Sequence, residues 1–237
     1  MSTGAPDKIH VLTVDYRGFG YSTGHPNEKG LITDGVAVVK WALEVARIPP
    51  ERIVLLGQSL GTAVATAVAE HFIVEERTEF QGIILVAAFS DIPTLISTYA
   101  VRGIIPILSP LRPYPFLQRF FANRVQETWL TARRLANLVR KSRNINLQLI
   151  HSKNDFDIPW THSDTLFYAA ANATSVRGLT VKQIDANKIH EDLGDSGHIN
   201  SWPTVDEDGG RKLVRQEIVR HGGKYLIVEI WLVLPSS

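Results

Sequence analysis

Apolar runs alternate with segments of helical spacing along most of this chain. Ile9 to Asp15 is a short apolar run ending in Asp15-Tyr16-Arg17-Gly18-Phe19-Gly20-Tyr21-Ser22, which predicts a strand entering a glycine-rich loop. Leu31 to Ala46 carries apolar residues at mostly helical spacing and stops before Pro49-Pro50, so a helix is expected there. The pattern continues with a strand at Ile53 to Leu56, a helix from Thr62 to Val74, a strand at Gly82 to Ala88, a strand at Asn146 to His151 and a helix from Thr161 to Ala173. Strands alternating with helices of this length predict an α/β chain with a mostly parallel sheet and helices on both faces.

The C-terminal part admits two registers. In one, Leu179 to Asp185 is the last core strand, the following loop presents His198 in Gly197-His198-Ile199-Asn200, and Gly210 to His221 is a final helix capped by Gly222-Gly223. In the other, Arg211 to Arg220 is the last strand, and the position after Gly222-Gly223 is Lys224. The tail, residues 225–237, is strongly apolar and can pair as a strand; exposed, it would be an aggregation hazard.

Between the strands ending near Ala88 and starting near Asn146 lies an insertion, residues 90–145, unlike the rest. Residues 101–143 hold nine Lys and Arg against one acid, Glu127, so this part is +8 and the remainder −7 of a net +1. Its segment from Ile104 to Leu117 is apolar and broken by prolines, which rules out one continuous helix or central strand. One reading is a surface loop and helix pair with solvated charges. The other is a helical lid that offers apolar surface to an acyl chain and positive charge to an anionic headgroup or membrane.

Length and composition limit the alternatives. A chain of 237 residues with 44% apolar content suits one domain, residues 1–237, with a substantial core. The small net charge gives no global sign of a nucleic-acid partner. Zero cysteines exclude disulfides and thiolate metal sites. With no signal segment at Met1 and no run of about 18 apolar residues, a soluble or peripheral chain is expected.

Chemistry is concentrated at Gly57-Gln58-Ser59-Leu60-Gly61, directly after an apolar run and directly before a small-residue helix. G-x-S-x-G in this context is a nucleophile elbow. It turns the chain sharply from strand to helix, exposes the serine, and aims the helix N-terminus at a developing oxyanion.

The Asp15 to Gly20 loop, the Gly57 to Gly61 elbow and Asp155-Phe156-Asp157-Ile158-Pro159 after a strand together resemble the α/β-hydrolase superfamily. Within it, the tyrosine-arginine loop, the Gly57 to Ala65 elbow and Asp192-Leu193-Gly194 resemble the branch of α/β-hydrolase domain-containing protein 12, which includes lysophosphatidylserine and monoacylglycerol lipases. The resemblance implies an α/β-hydrolase fold and a Ser-His-Asp triad acting on acylglycerols or lysophospholipids. Ser59 would be the nucleophile, the Leu60 N–H an oxyanion donor and Asp155 the acid, with Asp157 as its alternative. The base would be His198 in the first register, with His221 and, more weakly, His190 as alternatives. Such acyl transfer requires no metal or cofactor. The resemblance also implies an endoplasmic-reticulum membrane location for a full-length parent.

Two departures from the family pattern temper the expected activity. By the family pattern, this sequence is expected to lack the first strands, and with them the loop supplying a second oxyanion donor; absence of the third strand would leave a gap beside the elbow strand or force its neighbours to pair. In the second register the base position is Lys224 rather than histidine. A catalytically impaired isoform or pseudo-hydrolase is therefore the second reading, and a peptidase or thioesterase on the same fold the third.

Overall fold

The computed structural model describes residues 9–95, 128–222 and 230–235. Most of the basic insertion and most of the tail lie outside these residues, as does Lys224.

The expected alternation is present. In chain order the elements are β1 (Ile9–Leu12), α1 (Glu28–Lys40), β2 (Val54–Gln58), α2 (Leu60–Val74), β3 (Gly82–Val86), α3 (Thr131–Lys141), β4 (Ile145–Ser152), α4 (Thr161–Ala173), α5 (Val181–Asn187), β5 (Ile189–Asp192), β6 (Gly197–Val205), β7 (Arg211–Val219) and β8 (Ile230–Pro235). The strands form one sheet in the order β1-β8-β2-β3-β4-β7-β6-β5. Adjacent β2, β3, β4 and β7 are parallel, whereas β8 and β6 run against their neighbours.

Rows of side chains across the parallel strands show where the core lies. Leu55, Ile83, Leu147 and Val214 are aligned by register, and so are Gly57, Leu85, Leu149 and Gln216. All eight are buried, while their neighbours Leu56, Val86, Gln148 and Ile150 on the opposite face are half-buried. Val64, Val68 and Phe72 of α2, Leu135 of α3 and Leu166 of α4 close over the buried rows. The helices pack in sequence, α1 on α2, α2 on α3 and α3 on α4. Central α2 is buried along most of its length, and its small residues Gly61, Ala63, Ala65, Ala67 and Ala69 let it lie close to the sheet. Its two buried threonines are satisfied locally, Thr62 Oγ1 donating to the Ser59 carbonyl at 2.6 Å and Thr66 Oγ1 to the Thr62 carbonyl at 2.7 Å.

The second C-terminal register is the one adopted. Arg211–Val219 is a strand paired in parallel with β4, and the segment expected as a strand at Leu179 to Asp185 is mostly helix α5. The cause is local: Thr180 caps the helix by accepting from the Gln183 N–H, and the Gln183 side chain accepts from the Thr180 N–H. The antiparallel β5–β6 pair that follows belongs to neither register.

Neither a gap beside the elbow strand nor pairing of β1 with β2, the two expectations for that position, is observed. β8 lies between β1 and β2, antiparallel to both, with Leu232 opposite Leu12 on one side and Leu55 on the other. The position beside the elbow strand is thus filled, and β1 and β2 do not pair with each other.

Candidate active site

The elbow forms as its sequence requires. Ser59 has φ 52° and ψ −122°, a positive φ that costs a residue with a Cβ about 1–3 kcal/mol and persists only where its surroundings enforce it. The enforcement is visible: the Ser59 N–H donates to the Val86 carbonyl at 3.0 Å, and its carbonyl accepts from the Thr62 N–H at 3.0 Å. A Cβ on Gly57 would lie 2.3 Å from the Gly61 carbonyl oxygen, so only glycine lets strand and helix meet this closely. Ser59 makes no side-chain capping bond to α2. The Leu60 N–H therefore opens the helix beside a hydroxyl that does not compete for it, the arrangement that receives developing negative charge.

The Asp15 to Gly20 loop is braced against α1. Arg17 binds Asp34 with two nitrogens, Nε to Oδ2 at 3.0 Å and Nη2 to Oδ1 at 2.6 Å, and its backbone N–H adds a third bond to Oδ2 at 2.9 Å. Burial pushes the Asp34 carboxyl up, but the Arg17 bonds outweigh it and hold the group below its ordinary range.

Asp155 follows β4 at the same edge of the sheet. Its Oδ1 accepts from the Asp157 and Ile158 N–H groups, both at 2.9 Å, so the carboxylate shapes its own loop and Asp157 lies within that turn. With β3 between them, β2 and β4 place the elbow and the acid loop roughly 10 Å apart across two strand spacings.

The histidines are distributed differently from expectation. His198 sits on β6 opposite Ile218 of β7, four strand spacings or roughly 19 Å from β2. The first register, which made His198 the base, is not adopted, and the structure does not bring His198 to Ser59. It lies instead beside His190, with ring centroids 5.5 Å apart, and burial followed by nearby Lys153 and His190 lowers its pKa. His190 in turn bonds Asn200 at 2.8 Å. His221 is exposed at the exit of β7, three spacings or roughly 14 Å from the elbow strand. It adjoins the acid loop, since the next residue, Gly222, donates its N–H to Asn154 Oδ1 at 3.1 Å.

A histidine that the sequence did not single out does approach Asp155. His151 Nε2 is 3.8 Å from Asp155 Oδ2 and 2.8 Å from the Ile158 carbonyl. It is buried at 1% exposure, and its place on the apolar face of β4, in step with Leu147 and Leu149, is the signal that marks it. Among the described residues, no group of three or more His, Cys, Asp or Glu side chains is arranged to hold a metal ion. No helix among them is long and apolar enough to cross a membrane.

The alpha/beta hydrolase fold family model matches residues 5–212. Protein ABHD12B of Homo sapiens is 33% identical over 166 residues, 70% of this chain and 42% of that protein. Lysophosphatidylserine lipase ABHD12 of Gallus gallus is 29% identical over 185 residues, 78% of this chain and 45% of that protein. The chain thus spans less than half the length of these relatives. A solved α/β hydrolase from Vibrio vulnificus is 17% identical with a TM-score of 0.48, covering 65% of this chain and 50% of that one.

Proposed function

The chain belongs to the alpha/beta hydrolase family, and from that premise we propose that it is a serine ester hydrolase whose substrates are acylglycerols or lysophospholipids. The observation that carries the proposal is the elbow: Ser59 at a positive φ, with the uncapped start of α2 behind it. In this reading Ser59 Oγ attacks the ester carbonyl carbon and the Leu60 N–H stabilises the oxyanion. The base takes the serine proton and returns it to the leaving alcohol, and water then hydrolyses the acyl-enzyme. Asp155 orients the base, and His221, leaving β7 beside the acid loop, takes that role. The relatives' names support a lipid ester as the substrate class, and peripheral membrane contact through the basic insertion belongs to the same reading.

A second reading, a hydrolase fold without hydrolase activity, is favoured by one observation. His198 and His221 both lie several strands from Ser59, and loss of an effective base removes up to roughly 10⁶ in turnover. Labelling with a fluorophosphonate probe, with Ser59→Ala as control, separates the two. Labelling that disappears in Ser59→Ala and is strongly reduced in His221→Ala supports the first reading. A folded chain that takes no label supports the second. Hydrolysis of peptide or thioester substrates in preference to oxygen esters would move the assignment to another activity of this fold.

A further inference from the structure

His151 and His162 are both buried, at 1% and 3% exposure, on elements that pack together. His151 ends the helix-covered face of β4, and His162 lies in the first turn of α4. Each ring has one nitrogen engaged and the other, His151 Nδ1 or His162 Nε2, buried without a hydrogen-bond partner.

The engaged nitrogens determine the tautomers. A carbonyl only accepts, so His151 Nε2, 2.8 Å from the Ile158 carbonyl, carries the proton and Nδ1 of the neutral ring is a lone pair. A backbone N–H only donates, so His162 Nδ1, which receives the Ser90 N–H at 3.3 Å, is bare and Nε2 carries the proton. The Ser90 hydroxyl is 3.0 Å from the same Nδ1 and donates to Asp91 Oδ2 at 3.0 Å. The two unpartnered groups are therefore complementary, a donor on His162 and an acceptor on His151. Leaving both unmade would desolvate two polar groups with nothing returned.

We propose that His162 Nε2–H and His151 Nδ1 are joined through one bridging water, in a neutral two-histidine relay tying the stem of the insertion to the acid loop. At one end, Ser90 accepts the Ala132 N–H at 3.0 Å and the Ile92 N–H donates to the Thr128 carbonyl at 3.1 Å, so Ser90 belongs to the paired base of the insertion. At the other, His151 holds Ile158, whose N–H in turn holds Asp155. His151 and His162 are positioning residues, acting on Asp155 through the loop rather than on substrate. That consequence rests on the reading of Asp155 as the acid; the relay does not.

The groups facing the relay are few. His151 meets Asp155 from its own loop, Asp164 and His162 from α4; His162 meets His151 from β4 and Asp91 from the insertion stem. Burial outweighs the carboxylates and holds both rings below the ordinary histidine pKa.

The test is a long-range proton–nitrogen spectrum of the full chain carrying ¹⁵N-histidine, with His151 and His162 assigned on the wild-type protein so that no variant need fold. The relay requires both rings to be Nε2–H tautomers that stay neutral as pH falls through the ordinary histidine range. An Nδ1–H tautomer at either ring, or ordinary titration of either, overturns it. Fluorophosphonate labelling of the same sample keeps the two proposals apart. Expected tautomers in a chain that takes no label leave the relay standing without the hydrolase. Opposite tautomers in a chain labelled at Ser59 remove the relay alone.

Discussion

The Ser59 N–H donates to the carbonyl of Val86, the last residue of β3, at 3.0 Å, continuing the β2–β3 ladder one residue past the end of β2 into the elbow. The serine's strained backbone is thereby held from the neighbouring strand, while Gly57 and Gly61 hold it from within. Gly57→Ala places a methyl group 2.3 Å from the Gly61 carbonyl oxygen, a backbone atom that moves only with the helix. The expected outcome is destabilisation of about 1–3 kcal/mol or more, read from urea unfolding, together with loss of fluorophosphonate labelling at Ser59. A variant as stable and as reactive as wild type would show that the strand and helix are not packed this closely.

Asp155 and Asp157 are two residues apart but do different work. Removing the Asp155 carboxylate strips the acceptor from the Asp157 and Ile158 N–H groups, and Asp155→Ala is expected to cost about 1–3 kcal/mol in unfolding experiments. Asp155→Asn keeps an acceptor oxygen and restores most of that stability, but not the negative charge that would orient a base. Asp155→Asn should therefore lose activity at near-normal stability, and Asp157→Asn should retain both. The reverse pattern of ester hydrolysis in the two variants would make Asp157 the acid.

Where a signal was local, the sequence displayed it. The elbow, with its strand before and helix after, was legible because its glycines and serine act on one another within five residues. β7 was ambiguous because two of its four inward positions are polar: Lys212, Val214, Gln216 and Ile218 face the core, so the alternation of apolar residues is hidden. Gln216 is tolerated there because it accepts from Asn200 and donates to Asp164 and Ser163, partners supplied by β6 and α4. The choice between registers was nonetheless available from Thr180 and Gln183, a capping box that favours a helix exactly where a strand was one of the expectations. Which histidine would approach which carboxylate was not legible, since that depends on how strands far apart in sequence lie side by side.

Stability should fall on mild acidification because His151 and His162 are buried neutral. Their folded pKa values lie below the unfolded value near 6.5, so the unfolded chain binds the additional protons and stability is lost as pH falls below it. Each ring that stays neutral contributes at most about 1.4 kcal/mol per pH unit. Asp164, pushed up by burial, acts with the opposite sign above its ordinary 3.8, so the slope is a net one. Urea midpoints should decrease between about pH 7.5 and 5.5, and His162→Gln should flatten the slope. A midpoint that rises on acidification would mean that these rings gain protons in the folded state.

The tail makes the most demanding prediction. β8 is bonded on both sides, so it is an interior strand joining β1 to the elbow strand. Proline at an interior position removes a ladder N–H and clashes with its neighbours, whereas edge strands accept it. Leu232→Pro, opposite Leu12 and Leu55, should therefore cost about 3 kcal/mol or more and unpair β1. Pro203→Ala, in the part of β6 that extends past β5, should change stability little. Amide exchange gives the direct reading: protection at Val54 to Gly57 should drop in Leu232→Pro and persist in Pro203→Ala. Unchanged protection in Leu232→Pro would place the tail outside the sheet and return the elbow strand to an open edge.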